Sequence, residues 1–327
     1  MPTAEQTERF RRDLEALAGG PPGRLGVAVS GGPDSLALLL LAHGAFEGRT
    51  EAATVDHRLR PENADEAALV ARLCGDLGVP HATLADPASA IAGAGAQAQA
   101  RALRYRLLAG WAGERGIAWL ATAHHADDQA ETVLMRLARG SGLGGLSGIR
   151  SRRDEGAVTV LRPLLGWRRQ ELAAIVAEAG FDPVDDPSNR SDAYDRTRFR
   201  TLLSGSGLLP APRLAAAAAH LGEAEEALAW AAEREWQTRA RAQDGFILLD
   251  PGGLPAELLR RVSARAIDDV RGGRGDWRRD KLAGILAQVA AGGCATLAGV
   301  RVTGGSIWRF EPEPPRRGLA RKPRPPL

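Results

Sequence analysis

At 327 residues, 44% hydrophobic and 25% charged, the chain carries enough apolar material for two or three packed domains, which excludes a fibrous or wholly disordered protein. No apolar run approaches the ~20 residues of a membrane helix, and the two cysteines, Cys74 and Cys294, form no C-x-x-C, so disulfide, iron–sulfur and zinc frameworks lack support. A formal net charge of +3 is too mild to name a partner, and residues 5–17 are charged and amphipathic rather than signal-like, so the expectation is a cytoplasmic chain without membrane contact.

Residues 3–17 read as a short helix leading into an apolar strand at 25–29. Ser30-Gly31-Gly32 then makes a turn, and Pro33 and Asp34 suit the first turn of a helix whose body, 35–43, is Leu- and Ala-rich. Glycine permits positive φ and lets a ligand approach the backbone, so the free N–H groups of turn and helix start form an anion site. The loop is not a Walker A motif, which needs a lysine, because the chain's lysines are Lys281 and Lys322. A second strand at 52–55 ends in Asp56-His57. A helix at 64–77, a strand at 81–84 and a long helix at 97–115, bearing Arg101, Arg104 and Tyr105, follow. A strand at 117–123 ends in His124-His125, and helix 127–139 leads to a glycine-rich loop. A fifth strand at 158–161 and helix 168–179 complete the alternation.

Alternating strands and helices predict an α/β fold: a Rossmann-like parallel sheet with helices on both faces, the ligand crevice lying beyond the strands' carboxyl ends. Ser30 to Ser35, Asp56-His57 and His124 to Asp128 each follow a strand directly, so three strand ends offer one crevice phosphate donors, carboxylates and imidazoles. From about residue 208 the texture changes to an Ala-rich helix, 211–242, then amphipathic helices at 255–270 and 278–290 and a hairpin at 295–310. The expected organisation is a catalytic domain at 1–207, a smaller, mainly helical domain with a hairpin at 208–312, and a disordered Pro/Arg-rich tail at 313–327. The basic complement is almost all arginine, clustered at 150–153, 196–200, 271–279 and 316–324, and suits phosphate contacts as well as solvated faces.

Asp127 fits a helix N-cap, while Asp128 and Glu131, three apart, share a helical face. Carboxylates at a strand end can hold Mg²⁺ on nucleotide phosphates, or bind an amine and assist its deprotonation.

Ser30-Gly31-Gly32-Pro33-Asp34-Ser35 resembles the pyrophosphate-binding loop of the N-type ATP pyrophosphatases, the PP-loop superfamily. It is followed in order by Val55-Asp56-His57-x-Leu59-Arg60, Ala100-Arg101-x-x-Arg104-Tyr105, His124-His125-x-Asp127-Asp128-Gln129-x-Glu131-Thr132, Arg139-Gly140-Ser141-Gly142, Arg162-Pro163-Leu164-Leu165 and Asp186-Pro187-Ser188-Asn189. Together these resemble the tRNA(Ile)-lysidine synthetase family in its short form. The resemblance implies that ATP adenylates the C2 oxygen of the wobble cytidine in an isoleucine tRNA with a CAU anticodon, releasing pyrophosphate. The ε-amine of L-lysine then attacks C2 and expels AMP. It further implies that Ser30, Gly31, Gly32, Pro33, Asp34, Ser35, Asp56, His57 and His124 bind the nucleotide and that Asp34 and Asp128 hold Mg²⁺. Glu131, with Asp127 as rival, would take the lysine amine, and Arg104 would orient the cytosine. Two departures stand out: Arg58 replaces a usually small residue, and the family's Arg-Asn-x-x-Arg becomes Arg196-Thr197-Arg198-Phe199-Arg200, which leaves these arginines open to being a basic loop without a partner. The rival readings are a tRNA thiolase on the same fold, which usually needs cysteine pairs or an iron–sulfur cluster, an amide-forming synthetase, and a non-catalytic ATP-dependent RNA-binding module, to which carboxylates beside the loop would add nothing. The oligomeric state is open.

Overall fold

The computed structural model describes residues 1–56, 62–86, 95–181, 195–205, 207–273, 277 and 281–314. His57 to Arg60, the Asp186 to Asn189 motif and the tail from 315 onward lie outside them. The chain divides into two compact units, Met1–Gly222 and Glu223–Leu327. The division falls later than the expected 207, inside a continuous helix, Ala211–Arg239 (α9).

The first unit is built on six strands: β1 (Leu25–Ala28), β2 (Thr50–Val55), β3 (His81–Leu84), β4 (Trp119–Ala121), β5 (Arg152–Glu155) and β6 (Val158–Leu161). Their order is β3-β2-β1-β4-β6-β5, parallel throughout except for β5, which pairs antiparallel with β6 at the edge. β1 lies between β2 and β4 because the chain reverses direction there, and this switch point places a crevice at the carboxyl ends of β1 and β4. The parallel sheet with helices on both faces is the expected one.

Both faces of the central strands are buried, which is why β1 reads as an unbroken apolar run. On one face pack α1 (Ala4–Ala18), α2 (Pro33–Ala45), α3 (Glu62–Asp76) and α7 (Arg169–Glu178), joining Phe10, Leu14, the leucines 38–41, Val70, Trp167 and Ile175 into one core. α2 is apolar on all sides because sheet and helices surround it; cutting Leu39 to alanine there would cost about 2–5 kcal/mol. The other face is covered by α4 (Ala96–Glu114), through Tyr105, Leu108, Trp111 and Ala112. α4 can lie close to β1 because Gly26 has no side chain: a Cβ there would come within 3.1 Å of Trp111 and 3.2 Å of Ile117. α5 (Ala126–Ala138) packs on α6 (Leu143–Leu146) and α8 (Asp195–Gly205).

In the second unit the expected hairpin at 295–310 covers three strands of a five-stranded sheet, and the other two were not expected. Five antiparallel strands run in the order β7-β8-β11-β10-β9, namely β7 (Ala240–Gln243), β8 (Phe246–Leu249), β9 (Cys294–Leu297), β10 (Val300–Thr303) and β11 (Trp308–Pro312). α9 stops at Arg239, not 242, because Asp244-Gly245, with Gly245 at φ 79°, turns the chain into a tight hairpin. Ile247, Leu249, Val300, Val302, Trp308 and Phe310 face α10 (Ala256–Val270) and α11 (Leu282–Ala290) to form this unit's core. No helix among the described residues is long and apolar enough to cross a membrane.

Candidate active site

The turn after β1 is held by its own hydroxyls. Ser35 Oγ donates to the Gly32 carbonyl at 2.8 Å and accepts from the Ser30 amide at 3.1 Å, while Ser30 Oγ lies 3.2 Å away. Gly31 sits at φ 88°, a conformation that resists any side chain. Gly32 is the N-cap of α2 without a capping side chain, and Pro33 supplies no N–H, so the start of α2 leaves its positive end and free amides facing the crevice. This is an anion cradle built from backbone, with Asp34 on its inner side.

Asp34 meets the residues that follow β4. Its Oδ2 lies 3.3 Å from His125 Nε2, and Asp128 Oδ2 lies 3.5 Å from the same nitrogen. His125 is fully buried and caps α5: its Nδ1 accepts the Asp128 amide at 3.4 Å, and its own amide donates to Asp128 Oδ2 at 3.2 Å. With Nδ1 accepting, the ring proton is assigned to Nε2, which faces both carboxylates and has Arg169 Nε at 3.5 Å. Burial alone would hold the His125 pKa down. The hydrogen bond donated to Asp34 and the charges of Asp128 and Asp34 outweigh it, against the opposing charge of Arg169, and the net displacement is upward.

The cap is therefore His125, which corrects the expectation that Asp127 caps this helix. Asp127 instead faces α7. It accepts from the Arg169 amide at 2.9 Å and from Arg168 Nε and Nη2, both at 3.2 Å. Burial pushes its pKa up, but those hydrogen bonds and the Arg168 charge win, so it lies below the ordinary carboxylate value. Glu131, one turn further along α5 and 1% exposed, accepts from Arg200 Nε at 2.8 Å, with Arg169 Nη2 at 3.7 Å. Burial lowers the Arg200 pKa; its bond to Glu131, reinforced by the charges of Glu131, Asp128 and Asp34, raises it on balance.

The structure thus brings Asp34, Asp127, Asp128 and Glu131 together and adds four groups that sequence reading had not placed: His125, Arg168, Arg169 and Arg200. Arg200 belongs to helix α8, not to a basic loop. The readable signal for it was the arginine spacing 196, 198, 200 after the Asp-Pro-Ser-Asn motif. Asp56 and His124 follow β2 and β4, the two strands flanking β1, and so stand at the crevice rim; His124 Nδ1 lies 3.2 Å from Thr122 Oγ1. Arg104 is elsewhere, on α4. Dense surroundings lower its pKa, Tyr105 opposing and the charge of Arg101 adding to the effect, although its side chain still reaches solvent.

Asp34 Oδ1 is buried with no hydrogen-bond partner among the described residues. Among those residues no three His, Cys, Asp or Glu side chains form a metal cage. Two carboxylates and an orphaned oxygen fit a Mg²⁺ that arrives on a nucleotide and draws its remaining ligands from phosphate and water.

A PP-loop domain model matches residues 6–205. Over 313 residues the chain is 45% identical to the tRNA(Ile)-lysidine synthase of Zymomonas mobilis subsp. mobilis, covering 94% of each chain. Its likeness to the tRNA(Ile)-lysidine synthase of Novosphingobium aromaticivorans has the same identity and coverage. The chain belongs to the tRNA(Ile)-lysidine synthase family. Its first unit is accordingly an ATP-binding PP-loop domain. Among solved structures, the U34-tRNA thiolase NcsA from Methanococcus maripaludis superposes with a TM-score of 0.53 at 16% identity, over 66% of this chain and 76% of that one, a likeness of fold. The chain's own thiols are the buried Cys74 and the exposed Cys294, one in each unit.

Proposed function

We propose that this tRNA(Ile)-lysidine synthase family member forms lysidine at the wobble cytidine of an isoleucine tRNA with a CAU anticodon, using ATP and L-lysine in the cytoplasm. The observation that carries the reading is the meeting of Asp34, at the mouth of the anion cradle, with Asp128 and Glu131 on α5. A binding module for polyanions gains nothing from three carboxylates there; an enzyme that must bring ATP, a cation and an amine to one point needs them.

The cradle of Ser30, Gly31, Gly32 and Ser35, with Pro33 fixing the helix start, holds the β- and γ-phosphates as one unit. The α-phosphorus is then open to the cytidine C2 oxygen, and the bond to pyrophosphate breaks. Mg²⁺, held by Asp34 and Asp128, would disperse the charge on the departing pyrophosphate. Asp56 and His124 flank the nucleotide at the rim; His57 is assigned with them from its motif alone.

In the second step the neutral lysine amine attacks C2 and AMP leaves. Glu131 binds the incoming ammonium and accepts its proton, Arg200 fixing the carboxylate beforehand. Asp127 serves by locking α5 to α7 through Arg168 and Arg169, and Arg104 orients the cytosine. A domain scheme of catalysis in the first unit and tRNA contact in the second accompanies this reading.

The test is incorporation of labelled lysine into tRNA(Ile) transcript, with AMP and pyrophosphate released in equal amounts. No product should form when the wobble C is changed to U. Release of ADP, or lysine-independent transfer of sulfur, overturns the reading.

A further inference from the structure

Two sequence motifs that the proposed chemistry leaves unused meet in space. Arg162, directly after β6, is 3% exposed. Its Nη1 donates to the Arg150 carbonyl at 2.6 Å, its Nη2 reaches the Tyr105 hydroxyl at 3.5 Å, and its Nε is buried with no partner among the described residues. Tyr105 comes from α4, fifty-seven residues earlier. Arg101, one turn before it, also reaches the hydroxyl at 3.5 Å and lays its guanidinium 5.0 Å from the ring centroid. Arg153 on β5 covers the ring at 5.6 Å and pairs with Glu155 at 2.5 Å.

Three guanidiniums therefore surround one phenol. Glu155 attends Arg153, and among the described residues no ion pair joins a carboxylate to Arg101 or Arg162. Burying a guanidinium with a donor unspent is unfavourable unless an anion completes it. The hydroxyl points the same way. Two arginine donors occupy its lone pairs, so its own proton is left for an external acceptor. An oxyanion with several oxygens satisfies the spare Nε, the phenol proton and the exposed Arg101 at once, and guanidinium forks favour phosphate.

We propose that Arg101, Tyr105, Arg153 and Arg162 form a receptor for a backbone phosphodiester of the RNA substrate, with Arg162 as its buried anchor. The inference rests on the tRNA reading above. The strand order separates this receptor from the glycine turn by two inter-strand spacings, about 10 Å. That is too far to share one triphosphate already held in the cradle. It suits a polymer with one nucleotide at the reacting centre and a neighbouring phosphate across the arginines, next to Arg104 on the same helix.

The experiment measures tRNA(Ile) transcript binding from ~50 to ~200 mM salt for the full-length protein and for Arg101→Ala, Arg162→Lys and Tyr105→Phe. Arg101→Ala, at an exposed position, is expected to weaken binding about tenfold and to flatten the slope of log affinity against log salt by about 0.7–1, whereas Arg162→Lys, which keeps the charge and loses the guanidinium fork, is expected to weaken binding about tenfold with the slope unchanged. Tyr105→Phe is expected to weaken binding about threefold with the slope unchanged, since it removes a neutral donor. The KM for ATP should stay within twofold in all three.

Wild-type affinity in both Arg101→Ala and Arg162→Lys and a wild-type slope in Arg101→Ala, with at most a lowered melting temperature, would make this cluster structural and overturn the assignment alone. A raised KM for ATP with unchanged tRNA binding would give the site to the nucleotide and also overturn it. A wild-type protein that binds no tRNA would overturn the function reading and this one together.

Discussion

The crevice beside the glycine turn and the arginine cluster between α4 and β6 are opposite in how their charges are balanced. In the crevice each carboxylate already has a cationic or polar neighbour from the chain: His125 between Asp34 and Asp128, Arg168 and Arg169 on Asp127, Arg200 on Glu131. Around Tyr105 the arginines outnumber carboxylates, and Arg162 keeps a donor unspent. The first arrangement is held in place by internal cations that an arriving metal or ammonium can replace. The second is incomplete until an anion arrives. On the proposed reading, one fold thus keeps the group that performs chemistry, at the sheet's switch point, apart from the group that grips, to one side of it beside β6.

The largest expected effect breaks that division if it fails. Asp34→Asn should lower lysidine formation by about 10³-fold or more while tRNA affinity stays within twofold, measured by labelled-lysine incorporation and filter binding. Lost tRNA binding would mean that the crevice grips as well as reacts. Glu131→Gln should cost about 10²-fold in kcat/KM for lysine and leave the KM for ATP nearly unchanged, as steady-state kinetics would show. A matching loss for ATP would merge the two carboxylate roles.

Arg200→Ala tests whether internal cations hold the crevice. It removes the 2.8 Å bond to Glu131, which is 1% exposed, and should cost about 1–3 kcal/mol in urea unfolding. The smallest effect is a pH dependence. The folded pKa of Asp127 lies below its unfolded value, so its contribution to stability is complete above the unfolded pKa and fades as pH falls through the folded one. The difference in urea midpoint between the wild type and Asp127→Asn should therefore be constant near neutrality and shrink in acid. A difference that grows in acid would show that the sign is wrong.

Much of this was legible in the sequence because it is local. The loop from Ser30 to Ser35 announces itself by glycines between a buried strand and an apolar helix, and the β-α alternation fixes which strand ends can meet. What was not legible depends on pairing across the chain. His125 read as one of two imidazoles at a strand end, and its capping role takes the place assigned to Asp127, because either residue can satisfy the same amides. Arg200 gained a role when α8 packed on α5, and no local pattern states which carboxylate a guanidinium will find. β5 was hidden for a related reason. Its residues, Arg152 to Glu155, lack the apolar alternation of a strand because an edge strand rejects further partners by being charged. In the second unit, Asp244-Gly245 was a readable turn signal that the Ala-rich run before it masked.

Gly26 carries a last implication. Its bare backbone sets how deeply α4 settles on β1, and the same helix carries Arg101, Arg104 and Tyr105 at its other end. A single methyl introduced far below the reacting groups would act as a shim, lifting the helix and altering the arginines' reach without touching them. On the proposed assignment, substrate grip would be tunable from the floor of the domain, a lever for engineering that leaves the glycine turn and its acids intact.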